Sequence, residues 1–520
     1  MTALLSVGDM LRAQARLQPE RIGARDLERA MTFRQWNERS CRLANALIGL
    51  GLAKGDRVAV LAFNRVEWAE IYVAAAKAGL MAVPVNFRLT APEVRFICQD
   101  CAVSAVVTEA ALAGVVDDVR SDLGVKSDRY IRIGEGTAPA GWTSYEDLIA
   151  RASSTEPGVD VAPNDPWCLM YTSGTTGNPK GAIRGHRGVA MLALMTGVEL
   201  GLKRRDDALL VMPMCHANSL FFFASFLYSG AAVTVFSRPS FDPALCLRTI
   251  GATGATFSSL VPTHYSMMLD VSAKERGGAG FERVEKLMIS SAPARAETKR
   301  EIMGMFPNSG LFELYGSTEA GWVTMLHPDE QFDHLGTVGR EVIGSAPIRL
   351  LDADGNVVPD GQPGELFSRA PYAFDAYWNL PQKTAEAFRG DYLTVGDLAL
   401  RDADGFIRLI DRKKNMIITG GENVYPSEVE AVLGAHPDVK DVAVVGRPDE
   451  KWGERVEAAI VLRDGARIDA AGIIEWSRSR LAGYKRPRAV FFLEPGEMPR
   501  NPTGKILHRV LRDMLSKRSP

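Results

Sequence analysis

The chain has 520 residues and a mass of 56.6 kDa, several times the size of one hydrophobic core, so a small peptide module is excluded and two or more cores are expected. Lys and Arg number 61 against 63 Asp and Glu, a net charge of −2 with a pI near 6.4, which gives no pull toward nucleic acid or anionic lipid. With 46% hydrophobic and 24% charged residues, the composition is that of an ordinary soluble globular protein rather than a disordered or fibrous one.

Residues 1–17 lack basic residues ahead of their apolar run, and Asp9 interrupts it, which argues against a secretory signal and for a cytoplasmic protein. Six cysteines (Cys41, Cys98, Cys101, Cys168, Cys215, Cys246) are too sparse for a disulfide framework and point to a reducing compartment. Residues 57–63 read as an apolar strand, 67–78 as a helix of 3.6-residue period and 81–85 as a second strand, a βαβ unit that implies parallel pairing. Residues 92–101 read as helix, so the C-x-x-C of Cys98 and Cys101 is expected to be two buried thiols without function. The same rhythm recurs in 94–107 and 255–289 and predicts a layered α/β domain. Residues 219–236 carry no charge over 18 positions, close to the length of a membrane span. The turn signal Ser229-Gly230 divides them into an aromatic helix and a short strand of a buried core, so no span is expected. Residues 350–369 place Asp354-Gly355, Asp360-Gly361 and Pro363-Gly364 between β-prone pieces, the pattern of antiparallel hairpins.

After residues 411–415 the pattern becomes small and α+β. Ser427 and Glu430 have capping-box spacing at the start of a helix reaching Leu433, 442–445 and 458–462 read as strands, and 470–481 as a helix. The expected fold is a large α/β domain over 1–411, with layered sheets and a distorted antiparallel region, a hinge at 412–414 and a small α+β domain over 415–520.

The apolar piece 167–170 feeds the run Tyr171-Thr172-Ser173-Gly174-Thr175-Thr176-Gly177-Asn178-Pro179-Lys180-Gly181. Glycines let backbone N–H groups approach an anion, hydroxyls add donors and lysine adds a point charge, so the run reads as a polyphosphate cradle. It is not a Walker A loop, because Lys180 is followed by Gly181 rather than Ser or Thr. A plain surface loop would explain the glycines and threonines but not a lysine fixed just past a strand.

Five further motifs follow in order: Tyr315-Gly316-Ser317-Thr318-Glu319, Gly396-Asp397-Leu398, Asp411-Arg412-Lys413-Lys414, Gly420-Gly421-Glu422-Asn423 and Asn501-Pro502-Thr503-Gly504-Lys505. Together with the cradle they span nearly the whole chain, and the set resembles the adenylate-forming superfamily, specifically its AMP-forming acyl-CoA synthetases. The resemblance implies an ATP-dependent carboxylic acid:CoA ligase using ATP, Mg2+ and coenzyme A. A carboxylate is a poor acylating agent, because hydroxide is a bad leaving group. The acid therefore attacks the α-phosphate of ATP, expels pyrophosphate and becomes an acyl-adenylate that a thiol then intercepts, which requires charge to be neutralised on phosphate oxygens.

By that resemblance, Thr172, Ser173, Gly174, Thr175, Thr176, Gly177 and Lys180 would hold the β and γ phosphates, Thr318 the α-phosphate and Glu319 the Mg2+. Tyr315 and Gly316 would cover adenine, with Ser291, Ala292 and Pro293 lining the base. Asp397 would bind the ribose hydroxyls and Arg412 would reach the ribose. Val395 stands where relatives commonly carry Thr, which touches one minor hydrogen bond. Lys505 would stabilise the adenylation transition state. The small domain would then rotate about Lys414, bringing Gly420 and Gly421 to a pantetheine channel. Arg88, Trp452, Tyr484, Arg486 and Arg488 would add CoA contacts, although ordinary surface or packing roles explain these five equally well.

His216 would stand at the wall between acyl group and nucleotide in a positioning role. The pocket would be lined by its segment, 258–265 and 315–322. No acidic residue occurs over 215–223 to pair with an ammonium, so an α-amino acid substrate is disfavoured. The aromatic and small residues favour an apolar medium-chain, alicyclic or aromatic acid. The competing readings are a stand-alone adenylase loading a carrier protein, a luciferase-like oxygenation of the adenylate, and a silent nucleotide-binding homologue. The joint presence of Lys180, Glu319, Asp397, Arg412 and Lys505 counts against the last. A homodimer stays open.

Overall fold

The computed structural model describes residues 6–172, 179–278, 280–290, 294–420, 422–478, 480–500 and 504–518. The chain falls into two compact units, Met1–Pro347 with Ser368–Leu393, and Ile348–Phe367 with Thr394–Pro520. The charged stretch 411–415 lies inside the second unit.

In the first unit, the strands Arg57–Leu61 and Met81–Val85 pair in parallel and are joined by the helix Glu67–Ala78. That helix is buried on every side, its Glu67, Glu70 and Lys77 held in ion pairs with Arg65, Arg39 and Glu156, and Gly79 ends it in the left-handed region at φ 65°. Among the described residues these strands belong to a seven-stranded sheet that ends in Pro166–Thr172 and Lys180–Gly185. This last pair is the antiparallel one in the sheet, with Thr172 opposite Lys180. A nine-stranded sheet carries Phe257–Leu260, Lys286–Ser290 and Gly310–Ser317 side by side in parallel, and then turns back antiparallel through Gly321–Leu326. The shared core is aromatic, with Trp36, Trp68, Tyr72, Trp167 and Phe223 all buried in one cluster.

The uncharged run resolves into the helix Ala217–Ser229 and the strand Ala232–Val235, divided by Gly230 at φ 68°. No helix among the described residues is long and apolar enough to cross a membrane. All six cysteines are free and buried, and burial pushes the Cys98 and Cys101 thiols up to about 12.

The second unit contains an antiparallel sheet of Arg349–Leu351, Gly364–Phe367, Asp397–Arg401 and Ile407–Arg412, and a five-stranded sheet built on the long hairpin Val439–Asp449 and Gly453–Leu462. Alternation along the hairpin feeds two small cores. Val444 faces the one with Val429 and Leu433, while Ala443 and Val445 face the one with Leu511 and Leu515. The helix Pro426–Gly434 forms where its sequence pattern placed it, but the capping box does not. The N-cap is Tyr425, whose side chain makes no cap bond; Ser427 Oγ donates to the Ile410 carbonyl, and Glu430 Oε1 accepts from the Val444 amide at 2.8 Å. Those two side chains tie the helix to neighbouring strands, and Pro426 needs no N–H partner at the first helical position.

Candidate active site

Two hairpins of the first unit meet at one carboxylate. The turn between Gly310–Ser317 and Gly321–Leu326 is closed by Ser317 Oγ accepting from the Ala320 amide at 2.9 Å, which presents Thr318 and Glu319. A register shift falls between Tyr315 and Gly316, where a Cβ on residue 316 would stand 2.3 Å from the Gly321 carbonyl oxygen. Only glycine fits, and the bulge re-aims Tyr315. Glu319, 7% exposed, accepts at Oε1 from Thr172 Oγ1 at 3.2 Å and from the Tyr377 hydroxyl at 2.8 Å. Lys180 places its ammonium over the face of the Tyr377 ring, 3.9 Å from the centroid. Thr172, Lys180 and Glu319 are thereby brought into one cluster, with Tyr377 as the fourth member.

Beneath the turn lies Arg184, 1% exposed and one of the largest fully buried side chains. Its guanidinium donates to the carbonyls of Thr318 at 3.2 Å, Glu319 at 3.1 Å and Tyr372 at 2.7 Å, and covers the Phe221 ring at 4.8 Å. Burial lowers its pKa to about 10, still charged at neutral pH. His216 is the N-cap residue of the helix Ala217–Ser229, and its Nε2 is buried with no hydrogen-bond partner among the described residues. Burial, then the charge of Arg88, pushes His216 down to about 4, so the ring is neutral. The same two causes hold His264 near 4, which places Arg88, His216 and His264 in one neighbourhood. Trp322 packs on Phe221 and Phe222 at 5.3 and 5.1 Å, an aromatic wall behind the turn.

In the second unit, Asp397 and Arg412 face each other across adjacent strands, with Arg412 Nε donating to Asp397 Oδ1 at 3.1 Å. Thr394 Oγ1 accepts from the Gly396 amide at 3.0 Å, so a hydroxyl one position upstream of Val395 supports this corner. Residue 505 as a whole is exposed, yet its ammonium is desolvated and repelled by Arg412, which lowers its pKa to about 8 against the pull of Asp397 and Asp411. On either side of it in the chain, Leu507 N donates to the Pro499 carbonyl at 2.8 Å, and the Arg500 guanidinium reaches Asp441 at 2.6 Å. Gly420, at φ +60°, donates its N–H to the Trp452 carbonyl at 2.8 Å, and a Cβ on it would lie 3.1 Å from the Trp452 ring. Trp452 and Tyr484 are exposed aromatics.

Residues 11–378 match the AMP-binding enzyme family, and residues 428–505 match its C-terminal domain. The chain belongs to the AMP-binding enzyme family. A long-chain-fatty-acid–CoA ligase of Mycobacterium tuberculosis is 35% identical, with 99% of each chain covered, and an indoleacetate–CoA ligase of Aromatoleum aromaticum is 32% identical over 99% of each. Among solved structures, an anthranilate CoA ligase in complex with anthranoyl-AMP superposes with a TM-score of 0.89 at 27% identity, covering 98% of this chain and 97% of the other. This AMP-binding enzyme is thus an acid–thiol ligase of the acyl-CoA synthetase class, with a large α/β domain and a smaller C-terminal one.

Several of the residues singled out by sequence, Ser173, Gly174, Thr175, Thr176, Gly177, Ser291, Ala292, Pro293 and Gly421, lie outside the described residues. Of the CoA set, Arg486 Nε donates to the Leu481 carbonyl at 2.9 Å and the Arg488 amide to the Val456 carbonyl at 2.7 Å. Lys414, the residue singled out as hinge, follows the end of the strand Ile407–Arg412. Tyr377 and Arg184 of this AMP-binding enzyme were not legible in the sequence, because each acts on groups far away in the chain, 58 residues for Tyr377 and 134 for Arg184. An arginine four residues past the cradle lysine, on the strand Lys180–Gly185, was the one available signal.

Proposed function

We propose that this enzyme converts an otherwise apolar carboxylic acid to its CoA thioester through an acyl-adenylate. The cluster of Thr172, Lys180, Glu319 and Tyr377 carries the reading, because it gathers a cation, hydroxyls and a nearly buried carboxylate at one point. Lys180 and Thr172 bind phosphate oxygens, and Thr318 meets the α-phosphate. Tyr315 covers adenine, Asp397 holds the ribose hydroxyls with Arg412 beside it, and Lys505 offsets charge as pyrophosphate leaves. The carboxylate oxygen of the acid bonds to the α-phosphorus as the bond to pyrophosphate breaks; the CoA thiol then bonds to the acyl carbon and AMP leaves with the electron pair.

The donor set fits Mg2+. Glu319 Oε2 accepts no hydrogen bond among the described residues, and this ion is commonly held by one or two carboxylates with the remaining positions filled by phosphate oxygens and water. Consistently, no group of three or more His, Cys, Asp or Glu among the described residues could hold a metal alone. Bound there, Mg2+ would neutralise phosphate charge. Neutral His216 positions the acid at the wall below the turn. Gly420, Trp452 and Tyr484 present a face for pantetheine, with Arg88, Arg486 and Arg488 as cationic contacts and Lys414 absorbing the change between half-reactions. The six buried free thiols support a cytoplasmic setting.

Incubation with ATP, Mg2+, CoA and a panel of carboxylic acids tests the reading. Acid-dependent release of AMP with a matching thioester supports it, and ADP formation or no acid dependence overturns it. Supplying a phosphopantetheinyl carrier in place of CoA identifies the thiol acceptor.

A further inference from the structure

Three polar side chains from three elements meet at the carboxyl ends of the parallel strands in the nine-stranded sheet. Asn218, in the first turn of the helix Ala217–Ser229, donates through Nδ2 to Ser259 Oγ at 3.0 Å and to Ser290 Oγ at 3.2 Å. Ser259 belongs to the strand Phe257–Leu260, and Ser290 ends the adjacent parallel strand Lys286–Ser290. In open α/β sheets, ligands lie in the crevice beyond the carboxyl ends of the strands, and both serines are within two residues of those ends.

The trio is not satisfied from within. The two serines are 3% and 5% exposed, yet neither hydroxyl donates to a described residue, and Asn218 Oδ1, on a half-buried side chain, accepts from none. Phe221 and Phe222, one turn along the same helix and packed on Trp322, add apolar surface on that helix. A plain hydrocarbon group packed against the trio would cut the acceptor and the two donors off from water and leave each unpaired. A hydroxyl supplies both a donor for Asn218 Oδ1 and an acceptor for a serine O–H.

We propose that the acyl site takes an acid bearing a hydroxyl group on an otherwise apolar body, with the hydroxyl held by Asn218, Ser259 and Ser290. The proposal rests on the reading of this chain as a carboxylic acid ligase and narrows the substrate of that same site, adding one hydroxyl to the apolar acid named above.

The test is acid-dependent pyrophosphate release for matched pairs of acids that share one aromatic, alicyclic or medium-chain skeleton, with and without a hydroxyl at each position in turn. For at least one skeleton and position, kcat/KM is expected to favour the hydroxy acid by about 100-fold or more, since a site built to bond a hydroxyl rejects the analogue lacking it. Asn218→Leu is expected to erase that preference while leaving the KM for ATP unchanged. Because this variant can fail to fold, Ser259→Ala with Ser290→Ala is measured beside it and is expected to reduce the preference at least tenfold. Adenylation of unsubstituted acids with equal or better efficiency across all pairs overturns the proposal, as does an undiminished preference in either variant. Adenylation of no acid at all overturns the ligase reading itself, and this proposal with it.

Discussion

Replacing Tyr377 with Phe removes one hydroxyl and leaves the ring. The lost bond is the shorter of the two that Glu319 Oε1 receives, 2.8 Å against 3.2 Å from Thr172. Tyr377 and Glu319 are 5% and 7% exposed, so water screens the bond little and cannot easily replace it. A hydrogen bond to a charged group contributes about 1.5–3 kcal/mol, and each 1.36 kcal/mol is a factor of ten in rate or affinity. If that energy holds the carboxylate in its working orientation, Tyr377→Phe should lower kcat/KM for acid-dependent pyrophosphate release between about 10-fold and about 160-fold. The Mg2+ concentration for half-maximal rate should rise with it. The KM for ATP should change little, because the ring face that meets Lys180 at 3.9 Å is retained. A Mg2+ titration of initial rates at saturating ATP separates these quantities. Unchanged rate at every Mg2+ concentration, alongside a lowered melting temperature, would refute the reasoning and leave Tyr377 a packing residue.

Lys505, held near 8, is charged and active below that pH and neutral above it, so kcat/KM for adenylation should fall as pH rises through about 8, where an ordinary lysine holds its charge to about 10.4. Lys505→Arg should remove that alkaline limb, which pH-rate profiles of the two proteins would reveal. Gly420→Ala puts a side chain at φ +60° and 3.1 Å from the Trp452 ring, and should slow thioester formation from preformed adenylate at least about tenfold while sparing pyrophosphate release. His186 is fully buried, stacks on Trp167, and has neither ring nitrogen partnered among the described residues; burial lowers it to about 4. The unfolded chain therefore binds a proton below about 6.5 that the native state refuses until about 4, so this residue lowers stability by about 1.4 kcal/mol for each unit that pH falls from about 6.5 to about 4. Denaturant titrations of His186→Phe over that range should show a dependence shallower by this amount.

Elements whose apolar pattern is local were legible in the sequence. The helix Glu67–Ala78 and the strand Met81–Val85 have the bounds their patterns give, because every turn of that helix is buried and the flanking glycine stops it. The hairpins around 350–369 were legible through their Gly and Pro turns, and Arg349–Leu351 pairs antiparallel with Gly364–Phe367. Spacing misled where a side chain had a stronger distant partner: Ser427 and Glu430 have the spacing of a cap, yet bond to Ile410 and Val444. In the site, Thr172 and Glu319 announced themselves through their motifs, and their hydrogen bond spans 147 residues of chain. Tyr377 and Arg184 did not, since neither belongs to a motif and the fold alone brings a carboxylate to the one and a row of carbonyls to the other. The unsatisfied trio of Asn218, Ser259 and Ser290 was invisible for the same reason, each residue being unremarkable on its own strand or helix.

The central claim, activation of a carboxylate as a mixed anhydride with AMP, is tested most directly by following oxygen. With the acid labelled with heavy oxygen in its carboxylate, ATP, Mg2+ and CoA, one labelled oxygen is expected in the AMP released for each thioester formed. Label confined to inorganic phosphate, or AMP released without label, would contradict it.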